Sequence, residues 1–422
     1  MSAPEFPVRL LDRRSWKEWA QKHGVKGKSI YELGEYDSAS KIGDAQYLAL
    51  RALWKIRQAS EFHPQHWGIH GVEAAREKLR KLEHWKRFIQ AVPLEVQLDE
   101  ILPIHPGLGD FKLIWYYGQL IRRAPSAPDN EENINFTPWS ERLRERSTGL
   151  DSMDCSQDTP TQMYSYPIDP SHLTEWLNIH GIHEEEQERE ARERPSSSHS
   201  PFYQSSTAPS IDLDPDTSSD DFGRDPNYEE PKEFPRVSDE NMVNAYLIGL
   251  ASLITFSVEG VEAHWAPERK GYKVCDEDGL KLYEARTDGH MFLTRNRETK
   301  GIVEVKPVVR AESPRVMMQE TAQMAAWIHA DRDVIQEYNQ AEQIFRRLLW
   351  SMNRHQLYII IAQYDAGYVD YLTNPNHDPE CDSFLTMNQF GPWDIGSSSE
   401  VEFFAAILLA VTLQFSRGMA LI

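Results

Sequence analysis

A long polar tract divides this chain of 422 residues. Residues 124–236 are rich in proline, serine and acidic side chains. Such a segment buries too little apolar surface to offset the conformational entropy that it would lose on folding. Its last part, residues 183–236, holds about fifteen acidic residues against about six basic ones. We therefore predict a largely disordered linker over residues 124–236, with folded material on both sides.

The segment before the linker is predicted to be mostly helical. Trp16, Trp19 and Ala20 recur at helical spacing, and similar patterns follow further along. Since the chain is longer than one ordinary domain, we predict two folded units. These are a helical N-terminal module over residues 1–123 and a second domain over residues 237–422.

The overall charge bears on the class of partner. The formal net charge of -21 does not favour a broad basic surface that would hold nucleic acid through its phosphates. It does not exclude an enzyme that acts on nucleic acid, because much of the acid lies in the linker and a metal ion can supply positive charge locally. The net charge alone therefore decides nothing.

The cysteines and apolar runs bear on location. Cys155, Cys275 and Cys381 lie far apart and form no CxxC pair, which suggests neither a disulfide framework nor a cysteine-based zinc site. We therefore expect an intracellular protein, nuclear or cytoplasmic, and the N-terminus shows no signal peptide. The longest apolar run, Phe403 to Leu413, is shorter than the roughly 20 residues that cross a bilayer. It is predicted to be a buried helix and not a membrane span.

Residues 237–422 show a mixed pattern of helices and strands. Ser238 is a candidate N-cap for the first helix, and Asp278-Gly279 marks a turn between the first two strand segments. In chain order we predict a helix at 241–254, strand segments at 271–275, 280–293 and 301–309, and a helix at 315–330. A buried strand at 355–363, followed by a further segment at 367–372, an edge strand at 384–390 and a helix at 400–415 complete the order. This order indicates an α/β (α+β) fold.

Three polar residues in this domain form the central motif. Asp288 lies in one strand segment, and Glu304 and Lys306 lie in the next. Residues two apart in a strand face the same side, so Glu304 and Lys306 project together while Val305 faces the core. Charges among apolar residues need partners, since an unpaired buried charge is costly.

Two interpretations of the motif are open. Asp288 and Glu304 at the ends of adjacent strands can hold Mg²⁺ or Mn²⁺, which prefer oxygen ligands. The ion would polarise a phosphodiester and activate a bound water, and Lys306 would position that water or stabilise the transition state. The other interpretation is a buried salt bridge that serves the fold alone, because ExK is a common spacing.

The motif D288…E304-x-K306, within this order of helices and strands, resembles the PD-(D/E)xK nuclease superfamily. More narrowly, the chain is similar to fungal proteins with a nuclease-like domain of that type. The resemblance covers roughly residues 237–415. It implies an αβββαβ restriction-endonuclease-like core with a mixed sheet flanked by helices.

The resemblance also implies roles for individual residues. Asp288, Glu304 and Lys306 match the catalytic motif, and Thr287 stands where the family name has proline. Glu240 matches a glutamate of the first core helix that assists metal binding. Gln323 matches the glutamine of a Gln-x-x-x-Tyr motif in the RecB-like branch, although Trp327 stands in place of the tyrosine. Gln319 lies one turn before Gln323 on the same helical face.

Weaker signals lie outside this motif. His290 shares the strand of Asp288 and is predicted to be a surface residue, with substrate contact as the alternative. Glu320 is predicted to be a solvated helix residue. His63, His66 and His70 have spacings that could hold zinc, but a polar loop is favoured. The basic stretch from Arg76 to Arg87, which includes Trp85, is predicted to be a solvated face, with nucleic-acid contact as the alternative.

The sequence therefore predicts a Mg²⁺- or Mn²⁺-dependent nuclease whose substrate is DNA or RNA. Asp288, Glu304 and Glu240 would hold the metal, and Lys306 and Gln323 would complete the site. The alternative function is a non-catalytic module that binds nucleic acid or protein on a nuclease-like scaffold. A protein partner would then bind the N-terminal module or the acidic linker.

Overall fold

A computed structural model describes residues 6–33, 36–94, 106–123, 240–332, 343–377 and 381–421. The predicted linker over residues 124–236 and the candidate N-cap Ser238 lie outside these described residues. All statements below concern the described ranges.

The described ranges form helices and strands in a mixed order. The helices are α1 (Arg13–Lys22), α2 (Asp44–Ala49), α3 (Val72–Lys81), α4 (Glu83–Ala91), α5 (Phe111–Arg123), α6 (Glu240–Phe256), α7 (Val316–Ala330), α8 (Ala366–Thr373) and α9 (Ser398–Ser416). The strands are β1 (Ala52–Arg57), β2 (Ala263–Ala266), β3 (Gly271–Cys275), β4 (Lys281–Arg286), β5 (Gly289–Leu293), β6 (Thr299–Lys306), β7 (Ile344–Asn353), β8 (Gln356–Asp365) and β9 (Leu385–Asp394).

Seven strands form one mixed sheet in the order β1-β9-β8-β7-β6-β5-β2. Strand β6 pairs in parallel with β7, and β1 pairs in parallel with β9, while the other neighbours are antiparallel. Helix α7 makes the crossover between the parallel strands β6 and β7, as such a connection requires. The predicted mixed α/β class, with a sheet flanked by helices, is confirmed.

The segment predicted as one strand over 280–293 consists of two. Strand β4 pairs with β3 in a separate two-stranded sheet, while β5 belongs to the main sheet. The chain changes sheet at Thr287 and Asp288, which places Asp288 directly before β5. The predicted turn between β3 and β4 is confirmed: Gly279 has a φ of 78°, in the left-handed region that favours glycine.

The main sheet is covered on both faces. On one face Val303 and Val305 of β6 share an apolar core with α3, α4, α5, α6 and α9. On the other face Ile302 lies in a second core with α1, α2, α7, α8 and the β3–β4 hairpin. The alternation along β6 therefore sends successive side chains into different cores.

Helix α9 lies in the first core. By length and composition it is the one helix among the described residues that could cross a membrane, but 72% of its most apolar window is buried. It packs against α3, β9 and α6. The prediction that the run from Phe403 to Leu413 is a buried helix is confirmed.

The N-terminal segment does not form the separate helical module that was predicted. Strand β1 pairs with β9, and the described residues before and after the linker belong to one compact unit. Strand β9 lies between β8 and β1, so the prediction of an edge strand at 384–390 is wrong. Local periodicity could not show this pairing, because β1 and β9 lie near opposite ends of the chain.

The cysteine prediction needs one correction. Cys275, the last residue of β3, is disulfide-bonded, whereas Cys381 is free. The cysteines therefore no longer argue for a reducing compartment.

Trp54 of β1 tests whether the N-terminal segment folds together with the rest. Its side chain is fully buried, and its Nε1 donates to Thr321 Oγ1 of α7 at 3.1 Å. We expect Trp54→Ala to lower the free energy of unfolding by about 3–5 kcal/mol in urea titrations, because it leaves a large cavity. Leu11→Ala is the control, because the Leu11 side chain is 58% exposed. This variant should change the free energy of unfolding by less than about 0.5 kcal/mol. A similarly small effect of Trp54→Ala would show that β1 is not part of the cooperative core.

Candidate metal centre

The main chain of β6 holds Asp288 in place. The Asp288 N–H donates to Val303 O at 2.9 Å, and the Val305 N–H donates to Asp288 Oδ2 at 3.0 Å. From the other side, Asn244 Nδ2 of α6 donates to Asp288 O at 2.8 Å. Asp288 is therefore fixed at the start of β5, beside the carboxyl end of β6.

Glu304 and Lys306 form a buried ion pair on β6. Lys306 Nζ lies 2.6 Å from Glu304 Oε1, and the Glu304 side chain is fully buried. Both side chains project from the same face, as the two-residue spacing predicted. Lys306 keeps 12% of its side chain exposed, so the pair extends from the core to the protein surface.

Two glutamines of α7 complete the surroundings of Glu304. Gln319 Nε2 donates to Glu304 Oε1 at 2.6 Å, and Gln323 Nε2 donates to Glu304 Oε2 at 2.5 Å. They share a helical face because they are four residues apart. Gln323 Nε2 also donates to Arg286 O at 2.8 Å, at the end of β4. The structure thus places Gln323 against Glu304, while its predicted catalytic role stays a prediction.

Glu240 joins the same cluster from α6. It is the first residue of that helix, and its Oε2 lies 3.5 Å from Lys306 Nζ. The structure therefore brings together the four predicted residues Glu240, Asp288, Glu304 and Lys306. They converge where the start of β5, the end of β6 and the N-terminus of α6 meet.

A fifth charged residue, Arg269, was not predicted. Its Nη2 lies 3.4 Å from Glu240 Oε1 and 3.4 Å from Asp288 Oδ1. Arg269 lies in the loop between β2 and β3, and 55% of its side chain is exposed. Nothing in the local sequence marks this residue, because its position depends on how that loop folds back towards β5.

The cluster carries an excess of negative charge. Burial, with the charge of Asp288 added to it, raises the pKa of Glu304 well above its usual range, against the opposing effect of Lys306. Burial likewise raises the pKa of Glu240, opposed by Lys306. Burial alone would lower the pKa of Lys306, but Glu304, Glu240 and Asp288 outweigh it and raise that pKa. All three shifts mean that the site favours added positive charge.

The donor set suits a hard divalent cation, although it is not arranged as a finished ligand set. Carboxylate oxygens are the ligands that Mg²⁺ and Mn²⁺ prefer, and three carboxylates meet here. Within the described ranges, however, no three His, Cys, Asp or Glu side chains are placed ready to hold a metal ion. In this cluster the oxygens are occupied by Lys306, Arg269, the Val305 N–H and the two glutamines.

A buried polar network lies beside the cluster. Arg310 donates through Nη1 to Glu320 Oε2 at 2.8 Å and through Nη2 to Glu320 Oε1 at 2.5 Å. Arg310 Nη2 also donates to Ser351 Oγ at 2.8 Å, and Ser351 is the β7 residue that pairs with Glu304. The prediction that Glu320 is solvated is therefore wrong, because a buried arginine neutralises it.

Two other residues near the motif differ from expectation. His290 is 1% exposed, and burial lowers its pKa, so the prediction of a surface histidine is wrong. Trp327 lies one turn after Gln323, but its Nε1 lies 3.3 Å from Asp331 Oδ2 and its ring stacks on Tyr272. Trp327 therefore does not take the place of the family's tyrosine at the site.

The weaker signals of the N-terminal segment find structural explanations. His63 and His66 lie with their rings 5.2 Å apart, without a third ligand among the described residues. Trp85 is 1% exposed and belongs to the first core, so it cannot stack on bases. The neighbouring cations pair with acids, for example Arg80 with Glu402 and Lys86 with Glu83, as expected of a solvated face.

Comparison with known proteins adds no relative. No family model matches the chain, and no curated protein and no solved structure matches it.

Proposed function

We propose that this protein is a metal-dependent nuclease that hydrolyses phosphodiester bonds of DNA or RNA. The observation that carries the proposal is the convergence of Asp288, Glu304, Glu240 and Lys306 at one partly exposed cluster. In the described chain these residues come from three separate elements. A structural salt bridge would need only two of these residues. Burying three carboxylates together destabilises a fold, so stability alone does not explain the cluster.

The order of elements around the cluster supports the proposal. Helix α6, strands β2, β5 and β6, helix α7 and strand β7 follow one another, with the β3–β4 hairpin inserted after β2. Strands β2, β5 and β6 form an antiparallel meander, and β7 lies parallel to β6 after the α7 crossover. This order supports the proposed αβββαβ restriction-endonuclease-like core. The acidic residues stand at the matching places, before β5 and at the end of β6.

In the proposed mechanism Asp288 and Glu304 would hold a Mg²⁺ or Mn²⁺ ion, with Glu240 as a further ligand. Such an ion would supply Lewis-acid chemistry for hydrolysis of a phosphodiester by water. The hydrogen bonds of Gln319 and Gln323 to Glu304 fix the orientation of its carboxylate. Such fixed orientation is what ligand neighbours contribute in metal sites.

Lys306 acts in its protonated form. Because the surrounding carboxylates raise its pKa, its ammonium group keeps its charge at neutral pH. It therefore donates to its acidic neighbours Glu304 and Glu240. Its role is to orient the attacking water or to stabilise negative charge that develops on the phosphate.

One observation favours a second candidate, a non-catalytic binding module on the same scaffold. The carboxylates already meet two cations of the protein itself, Lys306 and Arg269. A cluster neutralised in this way can persist without a metal ion. The two candidates differ in their response to divalent cations and in hydrolysis.

Asp288→Asn tests the catalytic proposal with little expected damage to the fold. The amide oxygen can still accept from the Val305 N–H, while the charged oxygen that would face the metal is lost. We expect a loss of at least about 100-fold in Mn²⁺-dependent cleavage of DNA or RNA. The loss is measured as the rate of cleavage of labelled single- and double-stranded substrates. The melting temperature of the variant checks that it is folded.

Glu402→Gln is the matched control for that experiment. It removes the same charge from a salt bridge with Arg80 on the surface between α3 and α9. Its activity should equal that of the unchanged protein. Equal activity of the Asp288→Asn variant would contradict the assignment, and no cleavage by the unchanged protein with either metal would favour the binding module.

Thermal unfolding tests metal binding independently of hydrolysis. A ligand that binds only the native state stabilises it by about 2.7 kcal/mol at a concentration 100 times its Kd. We therefore expect Mn²⁺ to raise the melting temperature of the unchanged protein but not of Asp288→Asn. An equal shift in both proteins would place the bound ion elsewhere, and no shift in either would count against the metal centre.

A further inference from the structure

Arg269 occupies the position between the two carboxylate oxygens that face outward from the cluster. Asp288 Oδ2 is used by the Val305 N–H, and both oxygens of Glu304 are used by Lys306, Gln319 and Gln323. Glu240 Oε2 is used by Lys306. Asp288 Oδ1 and Glu240 Oε1 remain. Within the described part of the chain, both of these oxygens contact the same atom, Arg269 Nη2.

The contact has the geometry of a loose ion pair and not of a locked one. Both distances are 3.4 Å, at the long end for a hydrogen bond. More than half of the Arg269 side chain is exposed, whereas only 8% of Asp288 and 13% of Glu240 is. An exposed guanidinium by itself contributes little to stability, but its departure would leave two largely buried carboxylates unpaired. The guanidinium can therefore leave only when another cation takes its place.

The backbone at Arg269 is nevertheless well anchored. The Thr287 N–H donates to Lys270 O at 3.0 Å, and the Lys270 N–H donates to Thr287 Oγ1 at 3.2 Å. Thr287 directly precedes Asp288, so these bonds join the loop to the strand that carries the metal ligand. They keep the Arg269 side chain within reach of the site even when it releases the carboxylates. A proline at position 287 would lack the N–H for the first bond.

The charges of the cluster favour exchange of the guanidinium for a divalent ion. With all groups ionised, the three carboxylates exceed Lys306 and Arg269 by one negative charge. A divalent cation in place of the guanidinium would make the cluster neutral. Displaced from Asp288 and Glu240, the guanidinium would stand beside the metal as a planar group of N–H donors, which suits a phosphate.

We propose that Arg269 exchanges between two partners: the carboxylates of Asp288 and Glu240 in the free protein, and a phosphate of the nucleic-acid substrate once the divalent ion is bound. The inference rests on the proposed function and adds a specific residue to it. Arg269 then acts as an internal competitor of the metal and as a substrate-binding residue. It makes metal binding weak until a phosphodiester takes over the guanidinium.

The experiment compares Arg269→Gln with the unchanged protein. Calorimetric titration with Mn²⁺ alone should give a Kd about five- to twenty-fold lower for the variant, because the competing cation is gone. With saturating Mn²⁺, the variant should show a KM for a mixed-sequence oligonucleotide raised about ten-fold, because a phosphate contact is lost. Arg295→Gln is the control. It removes the same charge beyond the other end of β5, where Arg295 is 47% exposed, and should change neither value.

The possible results separate this inference from the proposed function. Tighter Mn²⁺ binding by Arg269→Gln together with a raised KM supports the exchange. If the unchanged protein binds Mn²⁺ and cleaves nucleic acid while Arg269→Gln alters neither constant, the exchange is overturned and the nuclease proposal stands. The exchange is also overturned if Arg269→Gln raises the Kd for Mn²⁺, or if it lowers that Kd without changing the KM for the oligonucleotide. If neither protein binds Mn²⁺, both proposals are overturned.

Discussion

The burial of Glu304 next to Lys306 is the constraint on which the site depends. A carboxylate that is fully buried loses its hydration, and the loss is tolerable only when partners surround both oxygens. Lys306 supplies charge, and Gln319 and Gln323 supply hydrogen bonds. These partners require that α7 pack over the end of β6 with one particular face inward. The second core, which holds α7 against β1, α2 and α8, therefore also orients the polar groups of the site.

Much of the site follows from local rules. Alternation along a strand places Glu304 and Lys306 on one face, and helical periodicity places Gln319 and Gln323 together. What could not be predicted depends on contacts between distant segments. The burial of Glu320 depends on Arg310, whose guanidinium reaches α7, β7 and β9 at once. The position of Arg269 depends on the pairing of Lys270 with Thr287, which no motif records.

The fold shows the same division between local and distant information. The mixed α/β character and the buried helix α9 follow from periodicity and apolar content. The position of β1 does not, because its partner β9 is one of the last elements of the chain. That pairing turns a predicted N-terminal module into an edge of the main sheet. Residues of the N-terminal segment therefore support the element that carries the glutamines, as Trp54 does through its bond to Thr321 of α7.

The central claim is that Asp288, Glu304 and Glu240 form a cation site from which Arg269 withdraws. Anomalous diffraction from crystals grown with Mn²⁺ tests it most directly, since the signal locates the ion without reference to activity. The account predicts one peak within coordination distance of Asp288 and Glu240, with the Arg269 guanidinium moved away from both acidic partners. Density for Arg269 between Asp288 and Glu240 at saturating Mn²⁺, with no peak beside them, would contradict it.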